Sequence, residues 1–252
     1  MQAGDRTFGI EIECHLPNGV FFHSGSHLFG IQIPQLPQGW VAKRDGSLQA
    51  PNGYQSVEVV SPVLKDEAGI FQVVEVVDFL NSVGAIVNDT CGLHCHVGAA
   101  DYTQVDVSKL TTLFKRYEKL FFSLNGEKAS TRWDNSYCKN SQNWDNPNGD
   151  RYQSLNLTNL NSGKKTVEFR LFAGTINVEI IVQAIFMCVG LVNKSKEIGR
   201  VKTPRTVPQT WQEMMDKFER VILKGNLLCG SVVEGDALEI TREQVLFSTV
   251  SL

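Results

Sequence analysis

Hydrophobic and polar residues alternate along four short stretches of this chain, and in each the polar side is Glu, His or Arg. Within residues 7–14, Phe8, Ile10, Ile12 and Cys14 fall on one side, Glu11 and Glu13 on the other, because successive strand side chains point to opposite faces. Within residues 92–97, Leu93, Cys95 and Val97 alternate against His94 and His96. Within residues 166–171, Val167, Phe169 and Leu171 alternate against Glu168 and Arg170, and Glu58 stands between Val57 and Val59. These four strands share an apolar face for a core and a second face of ionisable groups. Glu is disfavoured in strands, and like charges on one strand face repel, so a cation is expected opposite them.

Strand composition extends the first run to residues 6–14 and adds residues 20–33, 40–43, 56–60 and 85–88. Elsewhere a helical repeat takes over. Residues 66–82 carry Ile70, Phe71, Val73, Val74, Val77 and Leu80 as a broad apolar stripe. Residues 107–124 place Leu110, Leu113, Phe114, Tyr117, Phe121 and Leu124 at the i, i+3, i+4, i+7 spacing, with Lys and Arg between them. Residues 177–197, 208–224 and 241–251 predict closing helices.

Residues 125–151 are polar and rich in Asn, Trp, Asp and Gly. A connection of that length in a compact domain reads as a lid or substrate loop. Its Trp133 and Trp144 suit a sugar, a peptide or an aromatic group, or plain packing. Residues 154–160 and 165–172 then read as a hairpin about residues 161–164. The fold class is α+β: a mainly antiparallel sheet with helices on one face and the polar face open. A single domain over 1–252 is expected, with a helical portion from about 177.

The formal charge of −3 gives no general attraction for nucleic acid or an anionic membrane. Any phosphate binding must be local. Residues 180–192 form the longest apolar stretch, short of the ~20 residues that span a bilayer, so a buried helix is expected. The N-terminal Met-Gln-Ala-Gly-Asp-Arg has no signal-peptide pattern. Six cysteines without a Cys-x-x-Cys pair read as reduced thiols in a cytoplasmic protein. Cys91 and Cys95 stand near two histidines, but Cys95 faces away from His94 and His96, so that strand cannot offer all three to one zinc ion.

Magnesium and manganese prefer hard oxygen ligands and tolerate an imidazole. Glu11, Glu13, Glu58, Glu168 and His94 supply that set from separate strands, enough for two or more ions bridged by a nucleotide. Arg170 shares a strand face with Glu168, and its planar fork fits a phosphate or carboxylate. Taken singly, each residue also fits a solvated strand position, and Glu168 with Arg170 fits a surface ion pair. A solvated face would mix in Lys, Ser, Thr and Gln.

Gly92-Leu93-His94-Cys95-His96 resembles the Gly-x-His-x-His segment of glutamine synthetases. Glu168-Phe169-Arg170 resembles their late Glu-x-Arg, and Glu11-Ile12-Glu13 their Glu-x-Glu strand, in the same order. The fuller resemblance is to the amidoligase family of the carboxylate–amine ligase superfamily. It runs from Phe8-Gly9-Ile10-Glu11-Ile12-Glu13 through Asp45-Gly46-Ser47 and Glu58-Val59-Val60-Ser61-Pro62 to the His-x-His and Glu-x-Arg strands, covering residues 6–177. That resemblance implies a glutamine synthetase-like catalytic fold with a curved sheet, and ATP-dependent joining of a carboxylate to an amine through an acyl phosphate.

By matching position it makes Glu11, Glu13, Glu58, His94 and Glu168 ligands of Mg2+, with Mn2+ as the substitute. His96 would contact nucleotide phosphates, and Arg170 the transferring phosphoryl group. Asp45 would orient or deprotonate the amine, although Asp-Gly-Ser is also a turn sequence. In glutamine synthetases the corresponding Asp-Gly-Ser precedes the Glu-x-Glu strand, whereas here it follows. Arg151 and Asn156 would contact phosphate or substrate. The substrates implied are a carboxylate and an amine, with peptide or protein side chains among the candidates. A guanidino or amine phosphotransferase, a non-catalytic nucleotide-binding module and a metallohydrolase are the competing classes.

Overall fold

In the computed structural model, which describes residues 6–20, 31–32, 36–133, 135–143, 150–199, 201 and 218, the four alternating stretches are neighbours in one sheet. The strands are β1 (Phe8–Pro17), β2 (Ile31–Gln32), β3 (Val41–Arg44), β4 (Tyr54–Val60), β5 (Gly92–Gly98), β6 (Leu155–Asn156) and β7 (Thr166–Ala173). Their order is β2-β3-β4-β1-β5-β7-β6, and every pairing is antiparallel. The helices are α1 (Asp66–Ser82), α2 (Gln104–Ser123), α3 (Ala129–Trp133) and α4 (Val178–Glu197). The fold is α+β with an open antiparallel sheet.

The apolar sides of β1, β4, β5 and β7 meet α1, α2 and α4 in one core. Ile10, Ile12, Cys14, Val57, Val59, Leu93, Cys95, Val97, Phe169 and Leu171 are all buried there. Burial of side chains of this size contributes about 1.5–3 kcal/mol each, so the face assignment of these four strands is strongly fixed. Phe169 stacks on Phe121 of α2, with ring centroids 5.7 Å apart and planes 8° from parallel, and meets Phe114 edge-on. This anchors β7 from beneath, between Glu168 and Arg170.

Helix α2 begins at a capping box in which Thr103 Oγ1 accepts from the Asp106 amide and the Asp106 carboxylate accepts from the Thr103 amide. Asn177 caps α4, accepting from the amides of Glu179 and Ile180. By length and composition α4 is apolar enough to cross a membrane, but 67% of that apolar window is buried within the fold. It packs against α1, α2 and β5, as expected of a core helix.

Several local expectations change. Residues 85–88 form no strand; Ile86 makes a single bridge to His15. Beyond β6 the chain does not continue as a hairpin arm. The Asn156 carboxamide oxygen accepts from both the amide and hydroxyl of Thr158, which turns the chain into a 3-10 helix at Thr158–Asn161. Residues 125–133 and 135–143 contain short helical turns: Gly126–Lys128, α3, Ser136–Cys138 and Ser141–Asn143. Buried Glu118 of α2 ties this segment down, accepting from the Ser141 amide, the Ser141 hydroxyl and the Ser154 hydroxyl. Most of residues 20–33, the helix at 241–251 and Trp144 lie outside the described residues. Of 208–224 only Phe218 is described; it is helical and packs edge-on against Tyr117 and Phe121. The five described cysteines are free and buried.

Candidate functional site

Register gathers the ionisable residues. Strand β1 lies between β4 and β5, which sets Glu11 across from His94 and Glu13 across from Glu58. His96 lies across from Glu168, and Lys43 across from Glu58. The Glu11 carboxylate bridges both imidazoles, with Oε2 3.1 Å from His94 Nδ1 and Oε1 3.1 Å from His96 Nε2. Glu168 Oε1 is 3.9 Å from each of the same two nitrogens and accepts from Arg170 Nη1 at 2.5 Å. Glu13 Oε2 accepts from the Gly92 amide at 2.5 Å, while its Oε1 lies 3.7 Å from His94 Nε2. Two residues farther along β1, His15 is fully buried, 3.2 Å from Ser56 Oγ and 3.4 Å from Cys91 Sγ.

Three sets of ligand atoms fall within 4.8 Å of one another: Glu11–Glu58–His94, Glu11–His96–Glu168 and Glu13–Asp45–Glu58. Glu11 and Glu58 each belong to two sets, the arrangement expected around adjacent ions. The donors fit a hard divalent cation. His96 Nε2 points into the second set, buried and without a hydrogen bond of acceptable geometry despite its closeness to Glu11. An orphaned buried ring nitrogen beside two carboxylates fits a cation-binding position.

The electrostatics agree. Burial, followed by the charge of Glu11, pushes the Glu58 carboxyl up to about 7 from an ordinary 4.5. Burial also raises the Glu11 carboxyl, but the adjacent imidazoles of His94 and His96 outweigh it and hold that group far below the carboxylate range. For Glu168, burial is outweighed by His96, Arg170 and His94, and the net direction is down. The face therefore contains both strongly ionised carboxylates and one that resists ionisation for want of a counter-charge.

Two cavities meet at Glu11, which lines both. One, of about 450 Å³, is polar and includes Asp45, Glu58, Arg132, Tyr137, Arg151 and Arg170 in its walls. The other, of about 330 Å³, has Phe8, Val60, Pro62 and Ala100 as apolar walls and Lys164 and Lys165 at its polar side, with His96 and Glu11 at the shared end. Both volumes are within the range of small-molecule sites.

The candidate ligands Glu11, Glu13, Glu58, His94 and Glu168 lie together with His96 and Arg170 on this face, and the partners of Asp45, Asn156 and Arg151 define their places beside it. Asp45 uses Oδ1 to accept from the amide and hydroxyl of Ser47 at 2.8 and 2.6 Å. It forms the turn and still lies beside Glu13 and Glu58. Asn156 is buried and is no free substrate contact. Its Nδ2 donates to Glu168 Oε2 at 2.7 Å, and Asn159 donates to the same oxygen at 3.0 Å, so this pair fixes the carboxylate. Arg151 is in the polar cavity wall, 5.3 Å from the centroid of Tyr152. Tyr152 in turn meets Tyr137 edge-on. Arg132, Asn159, Tyr137 and Tyr152 were not singled out by the sequence patterns. They lie in short helical turns and loops, too brief for spacing to show which way a side chain faces.

Comparison with curated proteins gives no significant match. The family model described as "Putative amidoligase enzyme" matches residues 4–145 and 128–192, a span that takes in every strand and helix carrying the site. The chain belongs to this amidoligase family, whose description is that of a ligase-type enzyme.

Proposed function

We propose that the protein is an ATP- and magnesium-dependent carboxylate–amine ligase that forms an amide or isopeptide bond through an acyl phosphate. The observation that carries this reading is the bridging position of Glu11. It links two imidazoles and two candidate cation sets, and it stands where an apolar cavity with lysines meets a polar one with arginines. The apolar cavity suits a nucleotide base and ribose, with Lys164 and Lys165 toward phosphate. The polar cavity suits the acyl donor and the amine.

In this account Glu11, Glu13, Glu58, His94 and Glu168 would hold magnesium, with Asp45 beside the Glu13–Glu58 pair, and the ion would supply charge neutralisation for the transferring phosphoryl group. Arg170, held by Glu168 at 2.5 Å, offers its remaining donors to the same oxygens, and His96 faces the nucleotide side. A carboxylate oxygen of the donor attacks the γ-phosphorus, the bond to the bridging oxygen breaks and ADP leaves. The amine nitrogen then attacks the acyl carbon and phosphate leaves. The amine's surplus proton passes to a cavity carboxylate, with Asp45 exposed to the polar cavity for that role. Little covalent chemistry is asked of the protein; positioning and electrostatics do the work.

The test is ADP release screened across carboxylate–amine pairs, with mass spectrometry of the product. An amide, or a hydroxamate when hydroxylamine is the amine, is expected. An acid-stable phosphorylated amine or guanidine would identify a phosphotransferase instead, and turnover without ATP would identify a hydrolase.

A further inference from the structure

We infer that Arg132 is a positioning residue for Arg170, and that Asn125, Arg132, Tyr137 and Ser154 are part of the site's framework. The catalytic consequence rests on the ligase reading; the positioning itself does not. The inference starts from an irregularity in β7. Leu93 of β5 faces Phe172, but Cys95 faces Phe169. Two residues of β7, Arg170 and Leu171, therefore stand opposite the single residue His94, which is a β-bulge. The extra residue sends Leu171 and Phe172 both into the core and leaves Arg170 on the ionisable face.

Strand β6 pairs with β7 only at Glu168 and Phe169, and beyond that point the partners of the β7 backbone come from Asn125, Arg132 and Ser154. Arg132 Nη2 donates to the Arg170 carbonyl at 2.8 Å, and its Nε lies 3.4 Å from the Leu171 carbonyl. Asn125 Nδ2 donates to that second carbonyl at 3.0 Å, and Asn125 Oδ1 accepts from the Ala173 amide at 2.7 Å. The Arg170 amide donates to the Ser154 carbonyl at 2.9 Å, and Arg170 Nε reaches the Tyr137 carbonyl at 3.5 Å. The backbone on both sides of Arg170 is thus held by these residues. Arg132 is buried, and its Nη2 lies 3.4 Å from where a side chain on Gly92 would begin, against Glu13 and His94. Its guanidinium is spent on main-chain carbonyls at the point where the β7 strand changes register, so it sets the angle at which Arg170 enters the cavity.

Misplacement of a catalytic group by ~1 Å costs on the order of 10²-fold in rate. Arg132→Met is therefore expected to lower turnover about 10²-fold, measured as ADP release with hydroxylamine and the best carboxylate from the screen. The KM for ATP should stay within about threefold. Arg132→Lys, which restores one donor, should recover part of the loss. Combined with Arg170→Lys, Arg132→Met should cost far less than the product of the two single losses, because both act through one group. Independent, multiplicative losses would overturn the inference.

Amide hydrogen exchange in the ligand-free protein reads the positioning whatever the reaction. Exchange at Arg170 and Ala173 should quicken about tenfold or more in Arg132→Met, and unchanged protection at both would overturn the claim. If wild-type protein binds no MgATP, the ligase reading falls and the exchange result decides the positioning alone. If Arg132→Met does not fold, Arg132→Lys and Asn125→Ala take its place in the same measurements.

Discussion

Replacing Glu58 by Gln should stabilise the metal-free protein at alkaline pH while weakening its hold on divalent cations. Glu58 is set directly across from Glu13 by the β1–β4 register, with the Lys43 ammonium 3.9 Å away. Burial and then Glu11 push its carboxyl up to about 7 from 4.5. Between those values the folded protein holds a proton that the unfolded chain has released, so this group's contribution to stability falls as pH rises through that window. At pH 8 an ionised Glu58 costs the fold at most about 3 kcal/mol, because each pKa unit is worth about 1.4 kcal/mol. Cavity water reaching the partly exposed carboxylate brings this to about 2 kcal/mol. Gln keeps the shape and removes the charge. In a chain of this length that gain raises the melting midpoint by about 4–8 °C. Thermal melts in chelator at pH 8 and pH 4.5 measure it, since the gain should vanish at the lower pH. In excess magnesium at pH 8 the order should reverse, with wild type gaining more from the ion than Glu58→Gln. An equal gain at both pH values, or a loss at pH 8 in chelator, would refute the reasoning.

Arg170→Lys keeps the charge but loses the fork, so magnesium binding should persist while turnover falls on the order of 10²-fold; a protein that unfolds with normal turnover per folded molecule would make the Glu168–Arg170 pair structural. A methyl at Gly92 would stand 3.2 Å from Glu13 Oε2 and His94 Nε2 and 3.4 Å from Arg132 Nη2. Gly92→Ala should therefore weaken magnesium binding about tenfold or more by displacing two candidate ligands, read by calorimetric titration. Unchanged affinity would mean that Glu13 and His94 do not hold the ion together.

Alternation made the faces legible in the sequence. A strand has a period of two, so Ile10, Ile12, Phe169 and Leu171 in the core force Glu11, Glu13, Glu168 and Arg170 to the other side. What alternation cannot give is which strands are neighbours. The closeness of Glu11 to His94 and of His96 to Glu168 depends on the order β4-β1-β5-β7, which is set by how α1 and α2 route the chain over the sheet. The bulge at Arg170 and Leu171 was likewise invisible, because Glu168-Phe169-Arg170-Leu171 alternates regularly whether or not the ladder slips by a residue. The pairing of Asn156 is hidden from the sequence for a related reason. Its register partner across β6 and β7 is Glu168, and that carboxylate takes the amide a substrate was expected to meet. Arg132 fits no sequence pattern because it satisfies β7 carbonyls beyond the end of the β6 pairing.

The central claim is that this face of Glu and His binds a nucleotide through divalent cations, and an ATP titration by calorimetry tests it most directly. In magnesium, wild-type protein should bind ATP saturably, and excess chelator should abolish the binding. Glu11→Gln, which removes the charged ligand shared by two of the candidate cation sets, should need more magnesium for the same affinity, with partial recovery at high magnesium. ATP affinity unchanged by chelator in wild-type protein would contradict the account.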